Sequence, residues 1–190
     1  MKKEIITITG TLGSGKSSTS DLVAKKLDFK RFSSGDLMRK TALESGISLN
    51  ELSAKAERNI EIDKKIDDEV KKVGALDKIV LDSRLAFHWI PNSFKVYLDL
   101  PPEIAQERIL NNPKENILRR ESENSLTIEE IYKKIISRRE SEIKRYKELY
   151  GIDNYTDKKH YDLVIDTNKN NLEQVVDIIV SEYKKWIKNY

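Results

Sequence analysis

The chain has 190 residues, of which 38% are hydrophobic and 35% charged, and a formal net charge of +3 at pH 7 that does not by itself indicate nucleic acid. This length suits one domain with a sizeable core, and the absence of cysteine excludes disulfides, thiolate metal ligands and a cysteine nucleophile. No apolar run reaches the roughly 18 residues of a membrane span and no signal-peptide features open the chain, so we expect a cytoplasmic protein.

Strands and helices alternate along the first half of the chain. We predict a strand over residues 4–9, a helix over 16–27 and a short strand over 30–32. A charged helical segment follows over residues 36–74. It is interrupted at Gly46 and restarts at a capping box, in which Ser48 precedes Glu51 by three positions.

The alternation continues in the second half. Strands are predicted over residues 79–82, 95–100 and 163–166, and helices begin near Pro102, at Thr127 and near Leu172. Glu130 completes a capping box with Thr127, and Gly151 is expected to end that helix. This order predicts an α/β fold in which helices cover both faces of a five-stranded, mainly parallel sheet.

A glycine-rich loop follows the first predicted strand. Residues 10–17 match the pattern G-x-x-x-x-G-K-[ST] between a strand and a helix, the context that a phosphate-binding P-loop requires. Its backbone N–H groups can surround a phosphate, with Lys16 at the β- and γ-phosphates and the Ser17 hydroxyl on Mg²⁺. The alternative is a glycine turn that caps an ordinary helix. The expected contacts to nucleotide phosphates are Gly10, Thr11, Leu12, Gly13, Ser14, Gly15, Lys16, Ser17 and Ser18.

Two other nucleotide-binding classes are disfavoured. The dinucleotide pattern G-x-G-x-x-G fails because Ser18 stands at its sixth position. A GTP switch protein would carry N-K-x-D, whereas the pair Asn168-Lys169 is followed by two asparagines. A nucleotide-dependent kinase or ATPase remains.

Several arginines stand where a phosphorylated acceptor could bind. Arg39 and Arg84 follow the ends of predicted strands, and open α/β sheets bind ligands at that edge. Arg138 and Arg145 are seven residues apart on one helix, so they share a face, with Glu142 between them. A phosphate monoester that must approach a triphosphate needs such cations. The alternative is solvated surface charge, with Glu142 as a helical salt-bridge partner.

The segments GTLGSGKSS, SSGDLMR, IVLDSRLA, RRESEIKRYKELYGID and YDLVIDT, in this order, resemble the short, archaeal-type cytidylate kinases of the nucleoside monophosphate kinase family. The resemblance runs over about residues 5–180. It implies that the γ-phosphoryl group of ATP is transferred to CMP or dCMP with Mg²⁺. It also implies one P-loop kinase domain over residues 1–190, with a monophosphate-binding segment over 36–74 and a lid over about 111–125.

The resemblance further implies roles for individual residues. Lys16, Arg138 and Arg145 would be catalytic, and Asp82 would hold Mg²⁺ together with Ser17, although an aspartate at this position can instead cap a turn. Residues 10–18 would contact the ATP phosphates. Arg108 and Arg119 would also reach these phosphates, with Arg120 beside them. The residues expected to bind CMP are Ser34, Gly35, Arg39, Asp63, Arg84, Arg138, Glu142 and Arg145.

Base selection and the remaining alternatives rest on fewer residues. A cytosine pocket needs a hydrogen-bond acceptor beside a donor, and the predicted helix that carries Arg58, Asp63 and Asp67 can supply both. Asp63 and Asp67 lie four apart and share a face, although solvated helix carboxylates are the other interpretation. The family pattern has glycine where this chain has Ser83, and another glycine where it has Phe87-His88, which predicts a reshaped acceptor pocket. The predicted lid is also longer than the short lids expected in this family. We expect a monomer without nucleic-acid or membrane partners; a kinase for another monophosphate, or an RNA- or protein-binding P-loop module, stays open.

Overall fold

The computed structural model describes residues 3–111 and 127–189. Within these residues five strands form one sheet in the order β2-β3-β1-β4-β5, and every neighbouring pair is parallel. The predicted five-stranded parallel sheet is therefore confirmed. The strands are β1 (Ile5–Gly10), β2 (Lys30–Ser33), β3 (Ile79–Asp82), β4 (Phe94–Asp99) and β5 (Leu163–Asp166).

Helices connect the strands. In the described part of the chain they are α1 (Lys16–Leu27), α2 (Ser34–Glu44), α3 (Leu49–Ala56), α4 (Ile60–Val73), α5 (Ala86–Trp89), α6 (Pro102–Asn111), α7 (Ile128–Tyr150) and α8 (Leu172–Lys188), with a 3₁₀ turn at Lys158–His160. The predicted helical segment over 36–74 forms three helices rather than two, because a second interruption of the helix lies between Ala56 and Ile60. Neither α5 nor the 3₁₀ turn was predicted, since elements of three or four residues are too short to show periodicity. No helix among the residues described is long and apolar enough to cross a membrane.

Two compact units divide the chain. The described residues of Met1–Ser34, Asp67–Leu100 and Thr156–Tyr190 form the first, which contains the sheet and which we call the sheet unit. Those of Gly35–Ile66 and Pro101–Tyr155 form the second, which contains α3, α6 and α7 and which we call the helical unit. The assignment of residues 1–190 to a single kinase domain stays a prediction.

Alternate residues of β1 pack on opposite faces of the sheet. Ile6 and Ile8 join a buried cluster with residues of α1 and α8, whereas Ile5 joins a second cluster with residues of β3, α4 and α5. All six residues of β1 are buried, as expected for a central parallel strand with helices on both faces. The glycine loop therefore starts from the central, fully buried strand of the sheet.

Candidate active site

The glycine loop has the backbone conformation that its sequence predicts. Gly10 lies opposite Leu98 of β4, and a Cβ at Gly10 would stand 2.5 Å from the Leu98 carbonyl oxygen, so the close approach requires glycine. Gly13 and Gly15 have φ values of 78° and 84°, in the left-handed region that favours glycine. The Ser14 hydroxyl donates to the Thr11 carbonyl at 2.8 Å and braces the loop from within.

Lys16 begins α1 and its ammonium lies over the loop. Its Nζ donates to the carbonyl oxygens of Gly10 at 2.8 Å and Thr11 at 2.7 Å. A positive charge is thus held beside the N-terminus of α1, where the helix dipole also favours an anion. Loop and lysine together form an anion-binding arrangement in the sheet unit.

Asp82 ends β3 next to the loop, and its carboxylate is buried. Ser17 donates to Asp82 Oδ2 at 3.1 Å, and Ser33, at the end of β2, donates to the same oxygen at 3.4 Å. Hydroxyl and carboxylate oxygens are the ligands that Mg²⁺ prefers, and this cation is usually held by few protein groups together with phosphates and water. The pair Ser17 and Asp82 therefore fits Mg²⁺. Within the described residues no cluster of three or more His, Asp and Glu forms a separate metal cage.

Arg31 is a neighbour of this site to which no sequence motif points. Its Nη2 lies 3.6 Å from Asp82 Oδ2, and its Nε lies 3.2 Å from a carboxylate oxygen of Asp21. The guanidinium therefore adds positive charge beside the proposed metal ligand. The sequence does show an arginine in a four-residue strand, two positions before the serine that ends the strand. Only the pairing of β2 with β3 shows that this arginine lies beside Asp82.

In the helical unit, α7 presents Arg138, Glu142 and Arg145 on one face. Arg138 Nε donates to Glu142 Oε1 at 3.1 Å, and Arg145 Nε donates to Asp63 Oδ2 of α4 at 2.9 Å. Arg145 also donates from Nη1 to the Ser141 hydroxyl at 2.7 Å. The helical salt bridge expected as an alternative for Arg138 is present, yet these groups are not a solvated surface.

Burial distinguishes this cluster from ordinary surface ion pairs. The exposed fractions are 6% for Asp63, 4% for Glu142 and 7% for Arg145. Burial raises the pKa of Asp63 above its usual range, although the charge and the hydrogen bond of Arg145 act to lower it. Buried charges are costly unless they are paired, and here Arg138 pairs with Glu142 and Arg145 with Asp63. The solvated interpretation of Asp63 and Asp67 is wrong, because both are buried.

The other predicted contacts are distributed over both units. Arg39 Nη2 lies 2.6 Å from Asp36 Oδ1 on α2, and its buried Nε has no hydrogen-bond partner among the described residues. Ser34 and Gly35 open α2, where the Ser34 hydroxyl donates to the Asp82 carbonyl at 3.4 Å. Arg84 is half-buried two residues after β3.

The predicted lid can be placed only at its edge. Asn111 is the last residue of α6, and Arg108 lies half-buried on the same helix. Arg119, Arg120 and the remainder of the lid segment fall outside the described residues, so their assignment to ATP stays a prediction.

Comparison with known proteins gives the family. A family model described as an AAA domain matches residues 6–129. A cytidylate kinase of Methanosarcina mazei is 38% identical over 178 residues, which are 92% of this chain and 93% of that protein. The chain belongs to the cytidylate kinase family. The predicted resemblance and the expectation of a kinase are thereby confirmed.

Two further similarities extend this result. The chain is 33% identical over 186 residues to an S-adenosylmethionine-dependent nucleotide dehydratase of Lacinutrix mariniflava. The aligned residues are 96% of this chain but 36% of that relative. A crystal structure of shikimate kinase from Bacteroides thetaiotaomicron superposes with a TM-score of 0.65 at 12% identity, over 95% of this chain and 98% of that one. The structural similarity supports the P-loop kinase fold of this cytidylate kinase family member.

Both departures from the family pattern lie in the sheet unit, and Phe87 has a packing role there. Ser83 is buried; its carbonyl accepts from the Thr9 hydroxyl at 2.9 Å and its N–H donates to the Ile8 carbonyl, and a glycine would make both of these backbone hydrogen bonds as well. Phe87 is buried and stacks on His160, with ring centroids 4.9 Å apart. These residues tie the end of β3 to β1 and to the segment before β5, while the predicted change in the acceptor pocket stays a prediction.

Proposed function

We propose that the protein transfers the γ-phosphoryl group of ATP to CMP and dCMP, producing CDP and dCDP. The observation that carries the proposal is the buried arginine–carboxylate cluster on α7, in a chain that also carries a P-loop. A P-loop ATPase that hands its phosphate to water has no need of paired arginines for a phosphorylated acceptor. The 38% identity to the cytidylate kinase of Methanosarcina mazei, over 92% of this chain, supports the same activity.

The sheet unit is assigned to the donor. The backbone of residues 10–18 and the Lys16 ammonium would bind the ATP phosphates, since both present positive potential at the start of α1. Ser17 and Asp82 would hold Mg²⁺, which, when bound, neutralises charge on the β- and γ-phosphates. Before the metal binds, Arg31 would hold the Asp82 carboxylate in place by pairing with its negative charge.

The acceptor is assigned to the predicted CMP contacts. Arg39 and Arg84 would bind the monophosphate, and Asp63 would face the cytosine amino group as a hydrogen-bond acceptor. Arg138 and Arg145 would balance the charge on the transferring group, and Glu142 would orient Arg138. Ser34 and Gly35, at the start of α2, would contribute hydroxyl and backbone contacts.

The reaction would be an in-line displacement without a covalent enzyme intermediate. An oxygen of the CMP phosphate attacks the γ-phosphorus of ATP, the bond to the β-phosphate oxygen breaks, and ADP leaves. Catalysis would come from positioning and from charge neutralisation by residues held in place beforehand. The chain is expected to act as a monomer, which light scattering can check.

A coupled assay of ADP formation tests the proposal. With ATP, Mg²⁺ and a panel of CMP, dCMP, UMP and AMP, we expect kcat/KM for the cytosine nucleotides to exceed the others by about tenfold or more, because a pocket that leaves a polar group unpaired loses about 1–3 kcal/mol. Asp63→Ala should narrow this preference. Equal use of UMP would contradict the specificity and leave the kinase activity standing.

The same assay separates the rival class. If no monophosphate is phosphorylated while the protein forms a tight, strongly salt-dependent complex with RNA, the P-loop serves a binding module and the proposed activity is wrong. The product of a true transfer is identified by chromatography as CDP or dCDP.

A further inference from the structure

Tyr155 contacts the arginine cluster although no motif points to it. It follows α7 in the helical unit and is 3% exposed. Its ring meets the ring of Tyr146 edge-on, with centroids 5.6 Å apart. Its hydroxyl donates to Glu142 Oε2 at 2.9 Å. The ring alone would fill this space as a phenylalanine, so the buried hydroxyl has a separate role to be explained.

The two oxygens of Glu142 have different partners. Tyr155 donates to Oε2, and Arg138 Nε donates to Oε1 at 3.1 Å. A carboxylate held at one oxygen can still rotate about its side-chain bonds, whereas a donor at each oxygen fixes its plane. The guanidinium that bonds to the other oxygen is thereby fixed as well.

We infer that Tyr155 is a positioning residue: its hydroxyl orients Glu142, and Glu142 orients the guanidinium of Arg138 for phosphoryl transfer. This inference rests on the proposed function, in which Arg138 meets the transferring phosphoryl group. Preorganised charge accelerates a reaction only while it is held in the productive geometry. Without the hydroxyl, Glu142 Oε2 is left buried with one donor fewer, and the carboxylate can turn and draw Arg138 away.

Tyr155→Phe removes the hydroxyl and keeps the ring. We expect kcat with CMP to fall about tenfold, because small misplacements of catalytic groups are costly, while KM for ATP stays within about twofold. The matched control is Tyr183→Phe. Tyr183 donates to Glu4 Oε2 at 3.0 Å in the sheet unit, so this variant loses the same kind of bond outside the arginine cluster. It should keep native kcat at a temperature below the melting point of both variants.

A double-mutant cycle tests the route through Arg138. In the Arg138→Ala background, Tyr155→Phe should lower kcat by less than about twofold further, since the group that it positions is gone. A full, independent loss in that background would overturn the inference, and so would native kcat in Tyr155→Phe. A general loss of stability would instead lower kcat in both backgrounds alike.

A second variant covers the case in which Tyr155→Phe does not fold. Glu142→Gln leaves the Tyr155 ring in place but replaces one carboxylate oxygen with a donor, so it should reproduce the loss of kcat; native kcat in this variant would overturn the inference. The native protein separates the two proposals. If it phosphorylates no CMP, the proposed function is wrong and the inference falls with it, whereas a native kinase with an unaffected Tyr155→Phe overturns the inference alone.

Discussion

Lys16 is the residue whose charge the proposed reaction needs most. Its ammonium is held by the carbonyls of Gly10 and Thr11, so it lies at the loop before any phosphate arrives. Such preorganisation matters because donors that need not rearrange stabilise the developing charge of a transition state.

Lys16→Ala should lower kcat by about 10²-fold or more while the fold survives, by analogy with the loss of a preorganised donor. Steady-state kinetics and circular dichroism measure the two effects. Lys26→Ala is the matched control, because Lys26 lies on the same helix and pairs with Asp177 at an exposed position. Near-normal turnover in Lys16→Ala would rule out the assignment of the loop to the donor phosphates.

Arg39 and Arg84 are expected to act on the acceptor. Arg39→Ala and Arg84→Ala should each raise KM for CMP much more than KM for ATP, since both residues follow strands whose carboxyl ends form the ligand-binding edge of such sheets. Initial-rate measurements with each substrate varied in turn give the two constants. Weaker ATP use with unchanged CMP use would mean that donor and acceptor have been assigned to the wrong residues.

At the scale of elements, α7 carries the arginine–carboxylate cluster of the helical unit. It starts at the Thr127 capping box, where the hydroxyl accepts from the Glu130 N–H, and it ends at Gly151 with φ 69°. The spacing of Arg138, Glu142 and Arg145 puts all three on one face of this helix. The ion pair of Arg145 with Asp63 then joins α7 to α4.

This ion pair has a pH signature. Burial raises the pKa of the Asp63 carboxyl in the folded state. The contribution of this carboxyl to stability is therefore full below its pKa in the unfolded chain, near 3.8, and is lost as pH rises through its pKa in the folded state. Stability of the native protein relative to Asp63→Asn should therefore fall as pH rises above about 4. Urea unfolding of both proteins between pH 3.5 and 7 measures the difference. A relative stability that rises with pH would show that pairing with Arg145 outweighs burial.

At the scale of the whole molecule, the parallel sheet brings the functional ends of three strands to one edge. Gly10, Ser33 and Asp82 end β1, β2 and β3, which are neighbours in the sheet. Residues far apart in the sequence thus lie at the proposed donor site, and a ligand bound there should stabilise the folded state as a whole.

Mg²⁺ with ATP at about a hundred times its dissociation constant should stabilise the protein by about 2.7 kcal/mol, which corresponds to a rise in Tm of about 5–10 °C for a chain of this size. Scanning fluorimetry measures the shift. NAD is the control ligand, since the dinucleotide pattern fails at Ser18 and no comparable rise is expected. An equal rise with NAD, or none with ATP, would contradict the nucleotide assignment.

The sequence by itself determined the features that depend on contiguous residues. The P-loop, the capping boxes at Ser48 and Thr127 and the stop at Gly151 were predicted because each is a local pattern whose backbone geometry only a few residue types allow. Alternation of strands and helices likewise gave the parallel sheet. The features that were missed are α5, the 3₁₀ turn and the second break in the segment over 36–74, and all three are short and carry no periodic signal.

Only the tertiary structure decided which distant side chains meet. Arg145 bonds to Asp63, 82 positions earlier in the chain, and Arg31 reaches Asp82 across the pair β2 and β3. The bond from Tyr155 to Glu142 also depends on how the chain turns back after α7. Such pairings follow from packing, in which a buried charge or hydroxyl must find a partner, and no local pattern specifies which partner that is.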